Sequence, residues 1–244
     1  MQKTLIIIPS RLSATRLPGK PLLKINNLSI ISHVLKKAEE SKIGKVYVAA
    51  EDEEIIEDVK KNGGNAIITS KEHKTGTDRI YSLFEKLNLQ NVDYIINLQG
   101  DEPNIDIDDL KKLDRLVKKN KADIGTLAAK IDNISILSNE NMVKVVTEAS
   151  LNKDNFPLAK DFKRNIKNEK NVFHHIGIYM YKTEILKKFI KLKQSKNEIN
   201  NRLEQLRAMD NGIKINVALA KFAPIGIDTM EDYLALKKIM EYKS

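Results

Sequence analysis

The chain has no cysteine among its 244 residues. That excludes a disulfide framework, a thiolate metal site and a cysteine nucleophile. Aromatic residues make up only 5%, and no basic run is interleaved with them, which argues against a stacking platform for single-stranded nucleic acid. Long hydrophobic runs are also missing. The longest, residues 5–9, has the length of a strand, far short of the ~20 apolar residues that cross a bilayer. The N-terminus lacks the apolar core and small-residue cleavage pattern of a secretory signal. Neither a GxxxxGK[ST] phosphate loop nor a GxGxxG dinucleotide loop occurs. The expectation from these absences is a cytoplasmic chain with no nucleic-acid and no membrane partner.

Hydrophobic residues, at 41%, are spread along the whole chain. The length suits one large α/β domain or a domain with a smaller lobe. Forty-two basic against 33 acidic residues give a formal charge of +9. A basic balance is compatible with nucleic acid, anionic lipid or small anionic substrates. Here many lysines come as pairs within helical segments (Lys36–Lys37, Lys60–Lys61, Lys111–Lys112, Lys237–Lys238) and read as solvated helix faces.

The first half alternates strand and helix. Residues 4–9, 45–50, 65–69, 93–99 and 124–129 read as strands. Between them, residues 29–40, 52–62, 77–87 and 106–120 read as helices, the second stopping at Gly63–Gly64. This rhythm predicts an α/β fold, a mostly parallel central sheet with helices on both faces and right-handed crossovers. The second half is less regular. Residues 143–147, 176–181 and 213–220 read as strands, and residues 183–192, 198–209 and 230–240 as helices. Residues 150–172 are polar and poorly periodic, which suggests a loop or part of a lid. No repeat or linker is evident, so the expectation is a single domain over 1–244 with an inserted lobe at about 150–210.

In a doubly wound sheet, ligands bind beyond the carboxyl ends of the strands. Directly after the first strand stand Arg11, Ser13, Thr15, Arg16, Gly19 and Lys20. Such a loop can wrap a polyphosphate, with backbone N–H groups cradling it and cations neutralising it. The strand over 93–99 runs into Gly100-Asp101-Glu102. A carboxylate at a strand tip, after a glycine that permits close approach, suits Mg2+ bound to substrate phosphates. Near the C-terminus, Asp228 is either a second such carboxylate or, with Thr229 as the other candidate, the N-cap of the terminal helix.

Taken together, RLSATRLPGKPL (11–22), HKTGTDR (73–79), LQGDEP (98–103), MVKVV (142–146), HIGIYMY (175–181), LEQLR (203–207) and GIDTMED (226–232) resemble the 3-deoxy-manno-octulosonate (KDO) cytidylyltransferases, the CMP-KDO synthetase family. The resemblance implies a Rossmann-like nucleotidyltransferase fold with a smaller dimerisation lobe. It implies transfer of CMP from CTP to the anomeric hydroxyl of KDO, with pyrophosphate released, for lipopolysaccharide precursor synthesis. Arg11, Thr15, Arg16, Lys20, Thr75, Gly76, Asp78, Arg79 and Gln99 would bind the nucleotide, with Lys20, Asp101 and Arg16 catalytic. Asp101 and Asp228 would hold Mg2+. His175, Tyr179, Glu204 and Gln205 would line the sugar-acid pocket, and the chain would form a homodimer.

The nucleotide side follows the family pattern closely, with Ala14 in place of a common serine. The departures lie on the sugar side. The pattern has Phe-Ser-Arg followed by Ile-Pro-Trp in mid-chain, where residues 155–160 read NFPLAK. No arginine or tryptophan stands there, and Lys160 is a point charge without a bidentate fork. Asn201 replaces a glutamate and His174 an arginine. A related acid, such as 8-amino-KDO or a nonulosonic acid, and a low-activity homologue remain the alternatives. A UTP- or GTP-dependent enzyme would more often carry a GxGTR-type loop, which is missing. An anion- or RNA-binding module would show salt-sensitive nucleic-acid binding.

Overall fold

The computed structural model describes residues 2–13, 16–133, 135–166 and 169–241. The chain divides into two compact units, Lys3–Ile107 with Pro224–Ser244, and Asp108–Ala223.

The first unit opens with β1 (Thr4–Ser10), a single 3-10 turn (Lys20–Leu22), the two-residue strands β2 (Lys24–Ile25) and β3 (Leu28–Ser29), and α1 (Ile30–Glu40). It continues through β4 (Gly44–Ala50), α2 (Glu53–Lys61), β5 (Ala66–Ile68), α3 (Gly76–Leu87) and β6 (Tyr94–Asn97). The order β6-β1-β4-β5 is wholly parallel, with Thr4 of β1 opposite Gly44 on one side and Tyr94 on the other. Ile6, Ile7 and Ile8 are all fully buried. Consecutive strand residues face opposite ways, so β1 is covered on both faces, as a central parallel strand must be. The predicted stripe of α1 is the buried one: Ile30, Ile31, Val34, Leu35 and Ala38.

The second unit holds α4 (Ile107–Asn120), β7 (Ile124–Ala129), α5 (Ser135–Ser138), β8 (Lys144–Thr147), β9 (Ala159–Lys163) and β10 (Val172–Lys182). It ends with α6 (Thr183–Ile190), α7 (Lys196–Asn201), α8 (Gln205–Asp210) and β11 (Ile215–Leu219). β11 is parallel to β7, whereas β10 is antiparallel to both β7 and β8, and β8 to β9. The chain then returns to the first unit for α9 (Met230–Glu241).

Two local readings are corrected, and one element is added. Residues 150–172 are not all loop: β9 lies among them, its Phe162 only 1% exposed on the unit's core side. Its alternate residues are charged, which hides the strand from a hydrophobicity pattern. The expected helix over 198–209 is two, α7 and α8, separated where Arg202 takes a left-handed backbone (φ 52°). Asn200 and Asn201 before it are weak helix formers. The β2–β3 hairpin was unforeseen. Its two-residue turn, Asn26–Asn27, has φ of 48° and 63°, the positive pair that a tight hairpin turn needs and asparagine tolerates.

Gly44 opens β4, and a Cβ there would stand 1.9 Å from the Thr4 carbonyl oxygen of β1. Gly44→Ala is therefore expected to force the central strands apart and to cost about 1–3 kcal/mol, read as a lower urea midpoint with an unchanged slope.

Candidate active site

The carboxyl end of β1 with the loop after it, the segment after β6, and the N-terminus of α3 with His73 and Lys74 before it line a cleft of about 370 Å³ within the first unit. Arg11, Arg16, Lys20, Thr75, Gly76, Arg79, Gln99, Asp101 and Asp228 all line it. Asp78 does not; its carboxylate accepts from the Thr75 N–H while the Thr75 hydroxyl accepts from the Asp78 N–H, a capping box at the start of α3. Thr15 lies outside the described residues.

Lys20 is the centre of the cleft's polar contacts. Its ammonium donates to Asp101 Oδ2 at 2.6 Å, to the Ile227 carbonyl at 2.7 Å and to Asp228 Oδ1 at 3.2 Å. The other Asp228 oxygen meets Arg16 Nη2 at 2.8 Å. Burial disfavours the charged lysine, but Asp101 and then Asp228 outweigh it, and its pKa lies above the ordinary lysine value. Asp228 is not the cap of α9. The cap of α9 is Thr229, whose hydroxyl accepts from the Asp232 N–H while Asp232 Oδ2 accepts from the N–H groups of Asp228 and Thr229. Asp228 is left to face the cleft.

Gly100 permits the approach that brings Asp101 to this point. A Cβ on it would lie 2.9 Å from the Pro9 carbonyl oxygen and 3.1 Å from Ile31 Cδ1. The neighbouring Glu102 was not anticipated. Burial, then Asp101 and Asp228, push its carboxyl well above the ordinary range, with Lys20 opposing, and its Oε2 is buried without a hydrogen-bond partner. It lies buried beside two carboxylates.

Arg79 lines the cleft, but its guanidinium is spent inward. It is 3% exposed, ion-paired with buried Glu51 and bonded to Thr69 Oγ1 at 2.7 Å and the Ser70 carbonyl at 3.2 Å. Glu51 also accepts from Ser13 Oγ at 3.0 Å, and Asp52 accepts from the Leu12 N–H at 2.7 Å. These acids, with Ser10, His73 and Lys74 of the cleft lining, were missed. Glu51 and Asp52 follow β4 directly, so the strand-end rule that singled out Asp101 applied to them as well.

The sugar-side candidates lie in the second unit. Between Ile176 and Tyr179, β10 advances three residues while β7 advances one. His175 and Tyr179 consequently stand opposite Ala128 and Thr126, next-but-one neighbours on a strand, and so on one face. Four residues of regular strand span about 13 Å, yet these two rings are 5.4 Å apart. The Thr126 hydroxyl accounts for the irregularity: it lies 2.7 Å from the Ile178 carbonyl and 3.2 Å from that of Ile176. With its one hydrogen given to Ile178, it accepts from His175 Nε2 at 3.1 Å, which assigns His175 as the neutral Nε2–H tautomer and leaves Nδ1 an acceptor. Burial holds His175 neutral, lowering its pKa to about 3. The Tyr179 hydroxyl is buried without a hydrogen-bond partner, and burial, Tyr181 and Glu204 raise its pKa. Gln205 begins α8 immediately after Glu204.

Residues 155–160 hold no aromatic–arginine pair, but the end of β9 does. Phe162-Lys163-Arg164 places Phe162 edge-on to His175 at 5.0 Å. Arg164 donates from Nη1 to the Glu140 carbonyl at 2.8 Å, from Nε to Asn201 at 3.1 Å and from Nη2 to Arg202 at 3.2 Å. It ties the turn before Glu204 to the strand beside His175. The arginine of LEQLR is also structural: Arg207 grips Glu198 through two bonds of 2.8 and 2.6 Å and lies 4.7 Å from the centre of the Phe189 ring.

Below pH 6.5 an unfolded chain protonates His175 whereas the folded chain resists until about pH 3. The stability this residue supports is complete above that window and is lost as pH falls through it. His33, His73 and His174 are lowered in the same direction. His175→Gln is expected to flatten, without abolishing, the fall of the urea midpoint on acidification; an unchanged pH dependence would place His175 in water.

The family model described as Cytidylyltransferase matches residues 5–215. The 3-deoxy-manno-octulosonate cytidylyltransferase of Thermodesulfovibrio yellowstonii is 43% identical over 249 residues, covering 97% of this chain and 98% of that one. The protein of the same name from Afipia carboxidovorans is 38% identical over 246 residues, covering 97% and 96%. Among solved structures, that of CMP:2-keto-3-deoxy-manno-octonic acid synthetase complexed with CTP superposes with a TM-score of 0.90 at 32% identity, covering 99% of this chain and 100% of that one. The chain belongs to the cytidylyltransferase family, within its 3-deoxy-manno-octulosonate branch.

Proposed function

We infer that this protein transfers CMP from CTP to the anomeric hydroxyl of KDO. The hydroxyl oxygen forms a bond to the α-phosphorus as the bond to the leaving pyrophosphate breaks, and the hydroxyl proton is released. The observation that carries the reading is the convergence of Asp101, Asp228 and the Ile227 carbonyl on one ammonium, Lys20, in a cleft lined by Arg11 and Arg16. Family membership supports it.

Chemistry of this kind asks the protein mainly to position groups and neutralise charge. Arg11, Arg16 and Lys20 are assigned to the triphosphate, with the amide end of α3 at Thr75–Gly76 adding its dipole. Arg16 and Lys20 exchange Asp228 and Asp101 for phosphate oxygens when CTP enters. We assign the sugar acid to His175, Tyr179, Glu204 and Gln205, with His175 Nδ1 and the unpartnered Tyr179 hydroxyl as hydrogen-bonding groups.

The donor set fits Mg2+. Three hard oxygens already gather around one positive charge, and Mg2+ takes one or two carboxylates with phosphate oxygens and water completing its shell. Asp101 and Asp228 would hold it, and the ion would supply charge neutralisation for the phosphates. A cytoplasmic homodimer serving lipopolysaccharide precursor synthesis completes the proposal.

A pyrophosphate-release assay with CTP, Mg2+ and separate sugar acids tests this reading. KDO should be the preferred acceptor over its 8-amino analogue and nonulosonic acids, and chelation should abolish release. Asp101→Asn and Asp228→Asn should each lower turnover by about 10²–10³ with unchanged circular dichroism. Near-normal turnover in either variant removes that carboxylate from the reaction.

A further inference from the structure

We propose that Asp52 is a positioning residue for CTP, holding the polyphosphate loop at Leu12 so that Arg11 and the cations after it are presented to the cleft. The proposal rests on the nucleotide assignment above. Asp52 occupies the N-cap position of α2, with an extended backbone (φ −117°, ψ 130°), yet its side chain makes no bond to its own helix. An aspartate there ordinarily caps, and the cap is worth about 1 kcal/mol. Instead, Oδ2 reaches across 40 residues of sequence to accept from the Leu12 N–H at 2.7 Å.

Leu12 is where the loop closes. Its carbonyl accepts from the Gly19 N–H at 3.0 Å, and Gly19 has the left-handed φ of 74° that a β-carbon would oppose. Both backbone polar groups of Leu12 are thus engaged, one by Asp52 and one by the residue preceding Lys20. Arg11 immediately precedes this pivot. The next side chain, Ser13, is bonded to Glu51. The two adjacent acids therefore clip two consecutive loop residues to the end of β4.

Their charge makes the arrangement informative. Carboxylates beside an anion-binding cleft repel its ligand. Glu51 is neutralised by the buried Arg79, but Asp52 makes no ion pair among the described residues, and its carboxylate accepts from the loop amide of Leu12. An acid kept there without a cap, and without a cation among the described residues, is explained by the loop it holds. Asp52 does not itself line the cleft and acts through Arg11 and Leu12.

The test compares Asp52→Ala, Asp52→Asn and the unmodified protein in steady-state kinetics with CTP and KDO varied separately, alongside amide hydrogen exchange at residues 11–13. Asp52→Ala should raise KM for CTP about tenfold, leave kcat and KM for KDO within about twofold, and speed exchange at Leu12. Asp52→Asn retains an acceptor oxygen and should recover both properties. An unchanged KM for CTP in Asp52→Ala, an equal rise in both KM values, or an Asp52→Asn variant as impaired as the alanine variant would each overturn the proposal. Should the unmodified protein release no pyrophosphate from CTP, the functional reading fails. Exchange at Leu12, protected in the unmodified protein and released in Asp52→Ala, still decides whether Asp52 holds the loop.

Discussion

The ion-pair knot at Lys20 holds the candidate site together. One ammonium joins the loop after β1, the tip after β6 and the segment leading into α9, three pieces of chain separated by 81 and 208 residues. Exposed ion pairs are worth little, but Lys20's side chain is only 14% exposed against 30% for Asp101, and it carries three oxygen partners. The cost of removing the charges from water is met locally by mutual attraction. The same arrangement neutralises Arg16 and Lys20. Fold and chemistry therefore draw on one contact, and the groups that assemble the cleft are those that a triphosphate and a divalent ion would later divide between them.

Around the knot, polar groups that face the cleft are separated from those spent on holding it. Arg79 lines the cleft but is consumed by Glu51 and Thr69. Asp78 closes a helix cap, and Thr229 with Asp232 closes another, which leaves Asp228 available. In the second unit the same division holds. Arg164, Arg207 and the fully buried Lys144, whose ammonium donates to the Asn139 carbonyl at 2.7 Å, secure turns and strands. His175 and Tyr179 are kept neutral by burial. Conspicuous charges in a motif are thus poor guides to which of its members meet a ligand.

Most of the first unit was legible in the amino-acid sequence, because a buried parallel strand is a short apolar run and each crossover helix carries an apolar stripe. The strand ends then located Arg11, Arg16, Lys20 and Asp101 on one side of the sheet. β9 was illegible, since a strand half-exposed at Lys160, Asp161 and Lys163 has no hydrophobic period to detect. With it went the Phe162-Lys163-Arg164 segment.

The sequence alone determined the α/β class, the order of the main elements and the residue types gathered at the carboxyl ends of the strands, because these follow from periodicity and chain direction. Only the tertiary structure decided which carboxylate caps a helix and which faces the cleft, that Arg79 is turned inward, that two extra residues in β10 bring His175 beside Tyr179, and that Asp52 forgoes its own helix for Leu12. Each of those outcomes depends on a hydrogen-bond partner distant in the chain, and competition among polar groups for such partners is settled only when the backbone has brought them within about 3 Å.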